Sequence, residues 1–168
     1  MSTPNFINTN LHGGGGGTPF DEQSENPQIV HSRLVKINYW TDSVLNGIQL
    51  EWDNPLITGT LHGSASGSFN SFTLSKGERI IALTGRSGSR IDTLTFITNS
   101  GRSVNFGGSG GAPFQWAVDL IKYPNAALHH FIGRRFKFYS DIPPSFNDSG
   151  SQIDALEAVF ITEHGEAI

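Results

Sequence analysis

Gly150-Ser151-Gln152-Ile153-Asp154, near the end of the 168-residue chain, restates Gly88-Ser89-Arg90-Ile91-Asp92 in its middle. Each copy closes a polar, glycine-containing turn and runs directly into an apolar segment, residues 155–160 in one case and 93–98 in the other. A carboxylate held just after a tight turn can accept two hydrogen bonds, while the backbone N–H groups of the turn point outward as donors. Such a group suits a neutral ligand rich in hydroxyls. In a single copy, glycine supplies a positive φ and the aspartate caps its own turn, with no ligand required. The repetition shifts the balance toward function.

Working outward, the polar turn proves to be one part of a unit that recurs three times. Small-residue loops occur at 13–17, five consecutive glycines, at His62-Gly63-Ser64-Ala65-Ser66-Gly67, and at Gly107-Gly108-Ser109-Gly110-Gly111. The first and last lead into the matching tripeptides Thr18-Pro19-Phe20 and Ala112-Pro113-Phe114. Five ordered glycines cost backbone entropy of roughly 0.5–1 kcal/mol each relative to alanine. The run is therefore a linker or a place where something must approach the main chain closely, and too little chain precedes it for a linker between domains. Period-two alternation predicts strands over 29–40 and from Ile48 to Trp52, with Asn46-Gly47 reading as a hairpin turn and Pro55 ending the second strand. Residues 78–84, 94–98 and 128–132 read as further strands. Segments 114–118 and 156–159 are ambiguous alone, but their counterparts are rich in Thr and Phe, which makes them strands. Each unit is a sheet that cannot bury its own face, and three packed around an axis can.

Composition agrees. Charged residues make up 15% of the chain and glycine accounts for 20 residues, a balance that favours short strands and tight turns. A formal net charge of -4 gives no electrostatic footprint for nucleic acid. Arg134, Arg135 and Lys137 form the only basic cluster and read as a solvated face. With no cysteine, disulfides and thiolate metal sites are excluded and a reducing, cytoplasmic setting is expected; secretion by a non-classical route stays open. No signal peptide and no span of membrane-crossing length is legible, so no membrane insertion is expected. The expectation is an all-β domain covering residues 1–168.

In their order along the chain, these motifs resemble the jacalin-related lectins. The likeness rests on the 13–17 glycine run with Thr18-Pro19-Phe20-Asp21, on Phe72-Thr73-Leu74-Ser75-Lys76-Gly77-Glu78, on the stretch from Gly85 through Asp92 to Phe96, on Phe131-Ile132-Gly133-Arg134, and on the final Gly150-x-x-x-Asp154. The resemblance implies a β-prism I fold, three four-stranded Greek-key sheets with pseudo-threefold symmetry. It also implies a sugar site in which Gly17, Ser151 and Gln152 donate backbone N–H groups and the Asp154 carboxylate accepts from two adjacent hydroxyls. By the threefold relation, Gly88 to Asp92 faces the third glycine loop, giving a second candidate site from Ser89, Arg90, Asp92 and Gly111. The remaining pair, Asp42 to Asn46 with the Ser-Ala-Ser loop, lacks both the leading glycine and the aspartate and is expected to be weak or empty. Galactose-preferring members use an α-amino group freed by cleavage before the glycine loop; the chain runs uncut through Leu11-His12-Gly13, which favours mannose- or glucose-containing glycans and glycoproteins as partners. A galactose-preferring lectin and a protein-interaction prism with degenerate sugar sites are the alternatives. The segment 135–149 before the main turn is longer than is usual in the family and extends the site, occludes it, mediates assembly or is a surface excursion.

No cofactor, metal or catalytic residue is expected. Gly107-Gly108-Ser109-Gly110-Gly111 fits the G-x-S-x-G pattern of serine hydrolases, with Asp119, His129 and His130 following, but that elbow needs a strand–turn–helix in an α/β sheet, and no βαβ alternation is present. Asp92 and Asp154 fall in different sites and cannot share one glycosidic bond. His62, His129, His130 and His164 lack metal-ligand spacing. Asn147-Asp148-Ser149 matches a glycosylation acceptor that is idle without secretion. Single shallow sugar sites bind weakly, about 4 kcal/mol at millimolar affinity, so avidity calls for two sites on one chain or a homo-oligomer.

Overall fold

A computed structural model describes residues 5–135 and 152–162. In chain order the elements are β1 (Phe6–Asn8), β2 (His12–Gly13), β3 (Thr18–Asp21), a one-turn helix α1 (Glu22–Glu25), a 3-10 turn (Pro27–His31), β4 (Arg33–Thr41) and β5 (Leu45–Asp53). There follow β6 (Ile57–Thr58), β7 (His62–Gly63), β8 (Ser68–Thr73), β9 (Ile80–Ser87), β10 (Ile91–Thr98), β11 (Ser103–Gly107), β12 (Ala112–Ala117), β13 (Ala127–Arg135) and β14 (Ile153–Ile161). They form three antiparallel sheets: β1-β14-β13-β3, β11-β10-β9-β12 and β6-β5-β4-β8, with β2 also pairing β14 and β7 also pairing β5.

The fold is the expected all-β prism, with one refinement. In the β9–β10 sheet the outer strand is continuous through Gly107. In the other two it is broken, into β1 and β2 against β14 and into β6 and β7 against β5. All three sheets are thus four positions wide, and each glycine loop starts where its outer strand ends.

Two local readings of the sequence are corrected. The strand expected over 29–40 begins only at Arg33, because Pro27 at the start of the 3-10 turn has a preset φ and no N–H to give a ladder. Ile29 in the middle of that turn is completely buried. The Asn46-Gly47 pair is not the hairpin turn. It lies inside β5, and the reversal is made at Asp42 to Val44, where the Asp42 carboxylate accepts from the Val44 N–H at 3.3 Å. Gly47 is needed because the Ser64 carbonyl occupies the place of a side chain.

The threefold relation is visible in the packing. Gly133 pairs with Phe20, Gly85 with Phe114, and Tyr39 with Asn70 at equivalent places on the middle strands. In two sheets a phenylalanine ring lies over a glycine, its Cζ 2.9 Å and 2.5 Å from where a Cβ would stand. In the third the ring has moved to the facing strand as Tyr39. Each ring is then covered by a residue just ahead of a glycine loop of another sheet: Phe20 by His62 at 3.7 Å, Phe114 by His12 at 4.4 Å, and Tyr39 by Phe106 at 3.8 Å. These three stacked pairs join the sheets at the edges of the prism, and burying each such ring is worth about 1.5–3 kcal/mol. Between the sheets lie Trp52, Trp116, Phe96, Phe131 and Phe160, all within 1% of complete burial. The indole N–H groups of Trp52 and Trp116 donate across the structure to the carbonyls of His129 (2.8 Å) and Asn10 (2.7 Å).

Candidate functional site

Asp154 enters the site as the second residue of β14, where Ile153 beside it points into the core and is fully buried. The glycine loop 13–17 folds over it. The Gly14 N–H donates to the Asp154 carbonyl at 2.9 Å, and the carboxylate rises against Gly16 and Gly17. A Cβ on Gly17 would stand 2.6 Å from Asp154 Oδ2, and closer still to the Arg135 carbonyl; its φ of +73° is itself the left-handed region that favours glycine. The Arg134 guanidinium completes the cradle from β13, with Nε and a terminal nitrogen donating to the carbonyls of Gly16 and Gly17, both at 2.9 Å. Arg134 is therefore not the solvated basic residue that its sequence neighbourhood suggested.

The same construction is built a second time. Asp92 is the second residue of β10, and the Gly108 N–H donates to its carbonyl at 2.8 Å. A Cβ on Gly111 (φ +78°) would lie 2.5 Å from Asp92 Oδ2. Arg86 holds the loop as Arg134 does, donating to the carbonyls of Gly110 (3.1 Å) and Gly111 (2.7 Å). Sequence analysis paired Asp92 with Gly111 but overlooked both arginines. The signal for them is one residue each: Arg86 and Arg134 directly follow Gly85 and Gly133, which pair with Phe114 and Phe20 at equivalent places in their sheets.

The third position keeps the backbone and loses the chemistry. The Ser64 N–H donates to the Asn46 carbonyl at 2.8 Å, as in the other two loops. Asn46, at 1% exposure, replaces the aspartate, and its amide donates to the Ser66 carbonyl at 3.0 Å. Trp40 replaces the arginine and packs on Phe69 at 4.9 Å. No charged acceptor is offered here.

Asp154 is buried to 4% exposure, and that desolvation raises its pKa above the ordinary carboxylate value, against the pull of Arg90 and Arg134. Arg90 belongs in sequence to the second site, yet its side chain reaches the first: Nε lies 3.9 Å from Asp154 Oδ1. Ser89 behaves likewise, its carbonyl abutting Gly14. Gln152 is half-buried just ahead of β14, while Gly150, Ser151 and the 136–149 part of the long connection lie outside the described residues, as do Lys137, Asn147 and His164.

The arrangement does not support hydrolysis. Ser109 sits in an exposed loop, Asp119 caps the turn at Ile121 and Lys122, and His129 and His130 are buried in β13 with their Nδ1 atoms 2.9 Å apart. Among the described residues no group of three acidic, histidine or cysteine side chains is placed to hold a metal ion, and no helix is long and apolar enough to cross a membrane.

The jacalin-like lectin domain profile matches residues 9–138. The chain belongs to the jacalin-like lectin family. It is 28% identical over 148 residues to zymogen granule membrane protein 16 of both Homo sapiens and Rattus norvegicus, an alignment covering 86% of the chain and 74% of each relative. Among solved structures it is similar to a mannose-binding jacalin-related lectin from Ananas comosus, with a TM-score of 0.70 and 24% identity over 92% of the chain and 96% of the other. It is also similar to a mannose-specific jacalin-related lectin from Morus nigra solved with mannose, with a TM-score of 0.69 and 20% identity over 95% and 96%. At these identities the structural likeness carries the fold. The domain class carries the activity: this jacalin-like lectin domain binds carbohydrate and is not an enzyme.

Proposed function

We propose that this lectin domain binds mannose- or glucose-type glycans at two places, through Asp154 with the 13–17 loop and through Asp92 with the 107–111 loop. In the first, Gly17, Ser151 and Gln152 donate backbone N–H groups and Asp154 accepts from vicinal hydroxyls. In the second, Gly111, Ser89 and Arg90 donate from the main chain and Asp92 accepts. The observation carrying this reading is the duplicated cradle: a carboxylate under a glycine loop whose carbonyls are held by an arginine, repeated down to the same backbone hydrogen bond. A pyranose needs donors and acceptors on one edge, and a bond to a carboxylate is stronger than one to a neutral acceptor. The mannose ligands of the Ananas and Morus lectins favour mannose over galactose.

Recognition is direct, without a metal bridge, and the domain works in a cytoplasmic setting as the cysteine-free composition suggests, with pairing of sites or of chains supplying avidity. Isothermal titration with methyl α-mannoside, with galactose as the competitor control, tests the reading. Two sites per chain are expected, reduced to one by Asp154→Asn and by Asp92→Asn separately, and unchanged in EDTA. A full wild-type titration in the double variant would sink it.

A further inference from the structure

We propose that Arg90 is a binding residue of the Asp154 site, donating from its guanidinium to the same sugar hydroxyl that the carboxylate accepts from, and that it makes this site the tighter of the two. The inference rests on the sugar-binding reading and deepens it. Arg90 sits in the turn between β9 and β10, one residue before Ile91. That turn packs against the neighbouring glycine loop, with the Ser89 carbonyl filling the space where a Gly14 side chain would be. From there Arg90 Nε comes to 3.9 Å from Asp154 Oδ1, too long for a hydrogen bond between them, and Nε is buried without a hydrogen-bond partner among the described residues. A buried N–H is rarely left unsatisfied. One hydroxyl oxygen placed about 2.7 Å from the carboxylate and about 2.9 Å from Nε closes the gap, because those two lengths together comfortably exceed the observed separation. Such an oxygen gives its proton to Asp154 and takes one from Arg90, which uses both faces of a sugar hydroxyl.

The second site has no such partner. The turn at Asp42 to Val44 packs on the 107–111 loop in the same way, with the Ser43 carbonyl against Gly108 as the Ser89 carbonyl is against Gly14. The residue standing where Arg90 stands is Val44, one before Leu45 as Arg90 is one before Ile91. A valine donates nothing. The two carboxylates therefore differ in what the neighbouring sheet presents to them, although their own loops are alike.

Arg90 also keeps Asp154 in its charged form. Among the described residues the charged groups facing that carboxylate are Arg90 from the β9–β10 turn and Arg134 from β13; the 13–17 loop presents only main chain, and the next ionisable side chain along β14 is Glu157. Burial lifts the Asp154 pKa and both arginines oppose the lift. Binding that needs the carboxylate is present above that pKa and lost as pH falls through it, so removing Arg90 moves the loss to higher pH.

Amide NMR titration with methyl α-mannoside reads the two sites separately, through Gly16 and Gly17 for one and Gly110 and Gly111 for the other. Arg90→Met is expected to weaken binding reported by Gly17 about tenfold, the range for losing a bond to a charged group, and to shift its acid limb upward. Arg90→Lys should recover part of the loss, and Val44→Arg should strengthen the Gly111 site. Carboxyl 13C titration of Asp154 without sugar checks the electrostatic half, with a higher midpoint expected in Arg90→Met. If Arg90→Met leaves affinity and acid limb at Gly17 as they were while Asp154→Asn abolishes binding there, the sugar reading stands and the role of Arg90 is refuted. If the wild type shows no mannoside response at Gly17, the sugar reading fails, and the Arg90 proposal with it.

Discussion

Substituting alanine along the 13–17 run separates the site from the fold. At Gly15 an added Cβ meets nothing within 4 Å, whereas at Gly17 it would stand 2.6 Å from Asp154 Oδ2, with the Arg135 carbonyl nearer. Ordinary contact begins near 3.4 Å, so the carboxylate must retreat by about 0.8 Å, the difference between these two distances, and the backbone must shift too. The φ of +73° adds about 1–2 kcal/mol for any residue with a Cβ. Together with crowding, Gly17→Ala should cost about 2–4 kcal/mol of stability. Its effect on binding is larger in proportion. A millimolar monosaccharide is held by about 4 kcal/mol, and displacing the one charged acceptor forfeits about 1.5–3 kcal/mol of it. Affinity at the Asp154 site should fall at least tenfold. Gly15→Ala should match the wild type in both respects. Urea melts measure the first quantity and site-resolved sugar titrations the second. Wild-type affinity in Gly17→Ala, or a loss in Gly15→Ala equal to it, would refute the claim that the loop serves by close approach to the carboxylate.

Two further predictions concern ionisable groups away from the sugar. Glu78 accepts from Arg102 at 2.9 and 2.7 Å, from the Ser75 N–H at 3.0 Å, and from the hydroxyls of Thr98 (2.8 Å) and Ser100 (2.9 Å). Arg102 above all, then the Ser75 N–H, holds its carboxyl well below the usual range. Glu78→Gln should lower the melting temperature at neutral pH, and the gap to wild type should close as pH drops below 4.5; a constant gap would contradict it. Glu22 behaves oppositely. One oxygen accepts the Phe131 N–H at 2.7 Å, the other is buried 3.8 Å from His62 Nε2 without a hydrogen-bond partner among the described residues, and burial pushes the carboxyl up to about 8. With the folded value raised, its stabilising effect is complete below 4.5 and fades as pH rises toward 8. Glu22→Gln keeps the acceptor for Phe131 and should remove that decline in thermal melts between pH 5 and 8.

Much of the architecture was legible because it is written three times. The Gly-x-x-x-Asp turns and the small-residue loops recur at matching places; the resemblance to the jacalin-related lectins paired Asp154 with Gly17, and the recurrence extended that pairing to Asp92 with Gly111. The ambiguous segments at Trp116 and Leu156 were resolved the same way. The failures are local. Asn46-Gly47 carries the strongest two-residue hairpin signal in the chain, but Gly47 is there for the Ser64 carbonyl and not for a turn. Strand β4 starts late because Pro27 opens a 3-10 turn, which alternation of Leu34 to Tyr39 does not reveal. Arg134 was read with Lys137 as a charged surface because sequence adjacency says nothing of the loop carbonyls that lie beneath it.

What no repeat within the sequence could show is how one unit meets the next. The turns at 42–46 and 88–92 each have two neighbours: the loop of their own sheet that covers Asn46 or Asp92, and the glycine loop of the adjoining sheet against which Ser43 or Ser89 packs. The first relation is intramodular and leaves a motif. The second is set only when the three sheets close, and it is where the units differ, since the turn offers arginine at position 90 but valine at position 44. The same logic explains the silent third position. Exchanging aspartate for Asn46 and arginine for Trp40 leaves the backbone bond from Ser64 to Asn46 intact, so the loop still folds while its acceptor turns to Ser66. Fold and binding are thus carried by different atoms of the same loops, the main chain for the first and one carboxylate with its arginines for the second. A substitution of Asn46 by aspartate alone should not restore a site. The new carboxylate would be as buried as the amide it replaces, without an arginine at position 40 to hold the loop.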